Sequence, residues 1–283
     1  MNEKKKKILS LALLFLVGLA VVAAGCIGSK ETTTTTPQYP TKPITIIVPW
    51  AAGGGTDRTA RMLATLLEKK LGVNVVVENK AGGGGTIGHL AMATASPDGY
   101  TIGIATWELS TYKWLGLAEV SYQDVTPIIL YNKDAAAVIV RADAPWNDII
   151  ELTNYIKEHP GELKASGTAR AGVWDIARIG WLKTAGVDPS ALPWIPSKGA
   201  APALQELIAG GVDVVVCSLP EAKSLIDAGK AKALAVMADE RYSAFPDVPT
   251  LKEKGIDWSY GTWRGLWLPR VLLTMWLRFF TMH

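Results

Sequence analysis

The sequence predicts an α/β protein made of two blocks, each a largely parallel sheet covered by helices on both faces. Three observations carry that expectation. Short β-branched runs alternate with helical stretches along the chain. The strand runs are apolar throughout rather than alternating, as suits strands buried on both faces. The alternation also breaks off near the middle and resumes. Composition agrees, with 49% of the 283 residues hydrophobic and 19% charged. That excludes a disordered chain and a disulfide-rich scaffold.

In the first block, residues 44–48 are β-branched and lie between Pro43 and Pro49, so they read as a strand. Residues 57–71 carry Ala60, Leu63, Ala64, Leu66, Leu67 and Leu71 at helical spacing, and Gly72 stops the helix. A strand at 73–77, a helix at 86–95 and a strand at 100–105 follow, with the turn Ser96-Pro97-Asp98-Gly99 between the last two. The second block reads as strands at 135–141, 163–166, 192–195, 212–217 and 231–237. Helices at 146–158, 173–185, 202–209 and 221–228 separate them. Two such blocks imply two lobes with a cleft, and in open α/β sheets ligands bind beyond the carboxyl ends of the strands.

The N-terminus reads as an address. Lys4 to Lys7 precede an apolar stretch at 8–24, which ends in Ala23-Ala24-Gly25-Cys26. This is the layout of a cleaved export signal. Its end resembles a lipoprotein box, in which Cys26 becomes the lipidated first residue. An uncleaved anchor is the alternative, because roughly 17 apolar residues can just cross a bilayer. Either reading holds the body outside the cytoplasm at a membrane. Residues 26–38, with threonine at 32–36, form a polar tether that cannot build a core. The four lysines and Glu3 account for the whole net charge of +3, so the remainder is near neutral. The basic face that nucleic-acid binding requires is not visible.

Lipidation of Cys26 leaves Cys217 alone and no disulfide. Cys217 ends an apolar run and reads as a buried small side chain. His89, His159 and His283 show no metal-ligand spacing.

Two glycine-rich loops carry the functional signal. Residues 49–57 (PWAAGGGTD) and 78–86 (ENKAGGGGT) each follow a strand and open a helix. Glycine lets backbone N–H groups approach a ligand closely, and a helix N-terminus adds free donors and partial positive charge. Two such loops side by side make an anion site without a cationic side chain. Gly83, Gly85 and Gly88 formally match GxGxxG, and Glu108 stands where a ribose-binding acid would. Four residues separate the strand from those glycines, however, and an exported chain is removed from cytoplasmic dinucleotide. A Walker lysine and a GxSxG elbow are both missing, and no base, nucleophile and orienter set can be assembled. A binding protein without cofactor is expected.

Several segments resemble the tripartite tricarboxylate transporter solute-binding family, the Bug-type receptors. They are residues 39–44 (YPTKPI), 48–57 (VPWAAGGGTD), 75–84 (VVVENKAGGG), 96–101 (SPDGYT), 198–204 (KGAAPAL), 210–214 (GGVDV), 228–236 (AGKAKALAV) and 245–250 (FPDVPT), in register over residues 39–268. The resemblance implies a type-2 periplasmic-binding fold whose two doubly wound α/β lobes close on a small organic carboxylate, without catalysis. It assigns residues 39–140 and 230–283 to the first lobe and 141–229 to the second. By position it places ligand contacts at Trp50, Ala52, Gly53, Gly54, Gly55, Thr56 and Asp57, and at Gly83, Gly84, Gly85 and Thr86, with Asp57 expected to cap the first helix or fix its loop rather than bind an anion directly. Thr106 should line the cleft. The second lobe should contribute Ser166, Gly167, Thr168, Arg170, Lys198, Gly199 and Ala200.

The sequence departs from the family pattern at Ser197 and Ala200 and at residues 168–175, where Arg170 reads either as a partner for a second carboxylate or as a solvent-exposed loop residue. Trp263-Arg264-Gly265-Leu266 resembles the family's return strand, but the apolar residues 268–280 do not resemble what should follow. A frameshift near Trp267, with loss of C-terminal helices, is the expectation there. The resulting picture is an extracytoplasmic monomeric receptor, anchored through Cys26, that delivers a mono-, di- or tricarboxylate to integral-membrane transporter subunits. A sensory receptor and a nonfunctional shortened product are the alternatives.

Overall fold

The computed structural model describes residues 39–270. The export signal, Cys26, the threonine tether and residues 271–283 lie outside the described residues. Nine strands form the framework: β1 (Ile44–Val48), β2 (Val75–Asn79), β3 (Thr101–Thr106), β4 (Val125–Arg141), β5 (Ala165–Ser166), β6 (Trp194–Ile195), β7 (Val214–Ser218), β8 (Ala231–Val236) and β9 (Gly261–Pro269). The helices are α1 (Gly55–Leu71), α2 (Thr86–Ala93), α3 (Tyr112–Leu115), α4 (Ile149–Glu158), α5 (Val173–Thr184), α6 (Ala200–Ala209) and α7 (Leu219–Asp227).

Strand order is β2-β1-β3-β9-β4-β7-β5-β6, with β8 also on β4. β1 pairs in parallel with β2 and β3, as the sequence suggested. β9 returns antiparallel beside β3. The long β4 joins the two halves. Its stretch from Val125 to Ala135 pairs with β9, and its stretch from Ala136 to Arg141 pairs with β7 and β8. The sequence reading begins this strand ten residues late. Pro127 donates no hydrogen bond, and Asn132, Lys133 and Asp134 resemble turn residues. The ladder accommodates them by shifting register between Pro127 and Ile129 and again between Leu130 and Asn132. A second correction concerns β8. The lobe bounds implied by the resemblance put residues 230–283 in the first lobe, but Ala231–Val236 extends the second sheet through β4, with the block in which the alternation of elements places it.

Local chemistry explains the helix ends. α1 carries Asp57 in its first turn and Lys69 and Lys70 in its last, matching the helix dipole. Gly72 closes it in the left-handed region, its N–H donating to the Glu68 carbonyl. In the second sheet, Val138, Ile139, Val215 and Val216 are fully buried. Trp174 and Trp181 pack into the same core from α5. Cys217 belongs to that core, and burial raises its thiol pKa well above the ordinary value. Among the described residues, no helix is long and apolar enough to cross a membrane.

Candidate functional site

The carboxyl ends of β1 and β3 face the second sheet across a partly open cleft with a cavity of about 20 Å³. The first half contributes Trp50, Ala51, Gly54, Gly55, Thr56, Thr106 and Glu108. The second contributes Thr168, Val173, Trp174, Gly199, Ala200 and Glu221, and β9 contributes Thr262 and Arg264.

Two buried carboxylates organise this space, and each caps a helix of the opposite half. Glu221, on α7, accepts the N–H of Gly55, the first residue of α1, at 2.9 Å. Glu108, just after β3, accepts the N–H of Val173, the first residue of α5, at 3.1 Å. Helix N-termini carry unpaired donors and partial positive charge, so both sites suit a carboxylate. The second oxygen of Glu221 accepts from the Ser218 N–H at 3.0 Å and from its hydroxyl at 3.2 Å. The second oxygen of Glu108 accepts from the Thr106 hydroxyl at 2.6 Å. Burial raises the Glu108 pKa above the ordinary carboxyl range, against the opposing hydrogen bonds from Thr106 and Val173.

Arg264 supplies the cation. It is 2% exposed. Its guanidinium donates to Thr56 Oγ1 at 3.0 Å and to Asn132 and Asp134, and lies 3.6 Å from Glu221. Gly55 makes room for this cluster. A Cβ added there would come within 2.6 Å of Arg264 Nη2 and 2.8 Å of Glu221 Oε1.

The first glycine loop is held by Asp57. Its carboxylate accepts from the Gly53 N–H at 2.9 Å, from Arg61 Nε at 3.1 Å and from Asn79 Nδ2 at 3.0 Å. Burial alone would raise the Asp57 pKa, but these hydrogen bonds outweigh it and the carboxyl lies below its ordinary value. Asn79 also donates to the Trp50 carbonyl, tying β2 to the same loop.

The second loop is positioned by His89. The Thr106 N–H donates to His89 Nε2 at 3.1 Å, so the ring proton sits on Nδ1 and points to Tyr112 Oη, 2.7 Å away. Tyr112 donates in turn to the Gly84 carbonyl at 3.1 Å. Complete burial lowers the His89 pKa to about 3, so the ring is neutral at physiological pH. Gly85 adopts φ 94° with Tyr112 Oη where a Cβ would lie. A side chain is excluded there on both counts.

Of the residues expected from the sequence, Trp50, Gly54, Gly55, Thr56, Thr106, Thr168, Gly199 and Ala200 come together around the cavity. Ala52 and Gly53 are exposed and do not line the cavity, and Asp57 holds the loop through the Gly53 N–H. Gly83, Gly84, Gly85 and Thr86 do not line the cavity. Gly84 instead faces Ala169, whose Cβ is 3.3 Å from where a glycine Cβ would stand. Ser166 donates to the Ile195 carbonyl, and Gly167 gives the Val216 carbonyl its close approach. Arg170 and Lys198 are exposed. The Lys198 carbonyl accepts the Ala51 N–H at 3.3 Å, a bond that joins the two halves. Sequence reading missed Glu221, Arg264, Val173 and Trp174, and met Glu108 only as part of a dinucleotide imitation. The Ser218-Leu219-Pro220-Glu221 capping box is a readable signal for Glu221.

A two-sheet α/β body whose helix N-termini converge on a cleft between the sheets is the architecture of a periplasmic binding protein. Residues 59–272 match the family described as the tripartite tricarboxylate transporter family receptor, TctC. The chain belongs to that family, a family of binding proteins rather than enzymes. The structure of the periplasmic binding protein BugD is similar, with 34% identity, a TM-score of 0.80, and coverage of 86% of this chain and 82% of that one. MatC from Rhodopseudomonas palustris, solved with malate, shares 29% identity at a TM-score of 0.79, covering 86% of this chain and 83% of its own. Another R. palustris protein, solved with adipate, shares 27% identity at a TM-score of 0.76, with coverage of 86% and 82%.

Proposed function

We propose that this chain is an extracytoplasmic receptor that captures a small organic carboxylate and delivers it to an integral-membrane transporter. The observation that carries the reading is the pair of helix N-termini at Gly55 and Val173, each already engaging a carboxylate of the chain itself. Malate and adipate in the two R. palustris relatives support the same ligand class. Both sites belong to helices of eight residues or more and face one cavity, so a carboxylate held there touches both halves. A cavity of about 20 Å³ cannot hold such an acid. Ligand entry therefore requires a hinge opening that separates Glu221 from Gly55 and Glu108 from Val173, followed by closure around the ligand. Anchoring through lipidated Cys26 and action as a monomer complete the reading.

The test is thermal melting of the purified protein with a panel of mono-, di- and tricarboxylates. A ligand at 100 times its Kd adds about 2.7 kcal/mol and raises the melting temperature. A cooperative transition that no acid moves would sink the proposal. Mass spectrometry of the membrane-extracted protein tests the anchor, since a diacylated Cys26 at the mature N-terminus is expected and an intact signal would exclude it.

A further inference from the structure

The two oxygens of Glu221 differ in reach. Oε2 serves its own helix. It accepts the Ser218 N–H at 3.0 Å and the Ser218 hydroxyl at 3.2 Å, closing the capping box of α7. Oε1 crosses to the other half, where it accepts the Gly55 N–H at 2.9 Å and lies 3.6 Å from Arg264 Nη2. The local bonds hold the side chain in position, so the crossing contact forms without reordering it.

The first turns of α1 and α7 therefore meet across the cleft. A second contact joins them, since Arg58 Nη1 donates to the Pro220 carbonyl at 3.3 Å. Both helix ends carry partial positive charge, and two such ends facing one another repel. A carboxylate between them offsets that repulsion, and Glu221 supplies it from the chain itself. An N–H and a guanidinium converge on its Oε1, which is the donor set an external carboxylate would use. By contrast, the Ala51 N–H joins the halves through a longer bond of 3.3 Å to the neutral Lys198 carbonyl.

We propose that Glu221 is an autoinhibitory competitor of the ligand. It occupies the α1 N-terminus and draws the halves together, and an external carboxylate binds by displacing Oε1 from the Gly55 N–H. The inference rests on the carboxylate-receptor reading and adds a threshold to it. A ligand shifts an equilibrium only by its differential affinity for the two states. Affinity is therefore set by the difference between two carboxylates for the same donors. An acid is retained only where its further contacts outweigh those that Glu221 gives up.

The experiment combines small-angle X-ray scattering of the full protein without acid and calorimetric titration with malate and with adipate. Glu221→Ala should lower the melting temperature and enlarge the radius of gyration in the absence of acid. It should nevertheless bind at least one of the two acids about ten-fold more tightly, the equivalent of one hydrogen bond no longer displaced. Glu221→Gln keeps the side-chain length without the charge and should shift affinity in the same direction by less. A residue that only supports the fold would lower melting and leave affinity unchanged or weaker. That result, or an unchanged radius, overturns the inference, and binding of either acid by the wild type leaves the carboxylate reading standing. If Glu221→Ala does not fold, Glu221→Gln decides, with tighter binding supporting the inference and equal or weaker binding overturning it. Failure of the wild type and both variants to bind either acid overturns the carboxylate reading and this inference with it.

Discussion

The N-termini of α1 and α5 are built alike and stabilised differently. Each begins with a glycine N-cap that offers no side chain, and each has its first N–H taken by a glutamate from the opposite half. At α1 that glutamate is Glu221, which also receives the backbone and hydroxyl of Ser218 and faces Arg264. At α5 it is Glu108, which receives the Thr106 hydroxyl and has the unpartnered Thr168 hydroxyl nearby. The difference is one of charge compensation. Glu221 has a guanidinium 3.6 Å away, whereas Glu108 is hydrogen-bonded by neutral donors, and burial raises its pKa against the opposing charge of Arg264.

The sharpest way to break the comparison is at the cation. Arg264→Met leaves the buried Glu221 and the half-buried Asp134 without their counter-ion and should cost about 3–5 kcal/mol in urea denaturation. Glu108, on the other side, should be untouched in its bond to Val173. A smaller change separates the two sites sterically. Gly55→Ala drives a methyl against Arg264 and Glu221 and should cost about 1–3 kcal/mol. The equivalent Gly172→Ala meets its nearest neighbours only at 3.0 Å and should cost about 1 kcal/mol or less. Similar losses at both positions would remove the distinction.

The pH dependence of stability should differ in the same way. A carboxyl whose pKa is raised on folding contributes stability that is fully present below its unfolded pKa and lost as pH rises through its folded pKa. For Glu108 that loss begins from about pH 4.3 upward. Glu108→Gln should flatten this fall. His89 acts in the opposite sense. Its folded pKa is lowered to about 3, so its contribution is present above the ordinary histidine value and lost as pH falls towards 3. Denaturation profiles of wild type, Glu108→Gln and His89→Gln should separate the two limbs. The smallest effect is expected at Arg170, exposed and outside the cavity. Arg170→Ala should change stability by no more than about 0.5 kcal/mol and leave ligand affinity unaltered. A large loss of affinity would bring that loop into the site.

Much of the framework was legible because it depends on near neighbours. The β1 run, the α1 stripe with Gly72 at its end, and Cys217 in an apolar strand all follow from local periodicity and punctuation. Asp57 reads as a helix cap or a loop-fixing residue for the same reason, and the structure selects the second, since its Gly53 partner is four residues away. β4 was read too short because turn-like residues sit inside a strand that tertiary pairing holds extended. β8 falls in the second block by the alternation of elements, and only the lobe bounds implied by the resemblance placed it elsewhere, because lobe boundaries are not a local property.

Sequence alone thus determined the alternating α/β elements, the glycine loops at the strand ends, and the family resemblance that those loops carry. Tertiary structure alone decided which side chains meet. Glu221 lies 166 residues from Gly55, Glu108 lies 65 from Val173, and Arg264 lies 208 from Thr56. No propensity or period extends over such separations. Only closure of the two halves brings these charges into one buried space, where low polarity makes their pairing decisive.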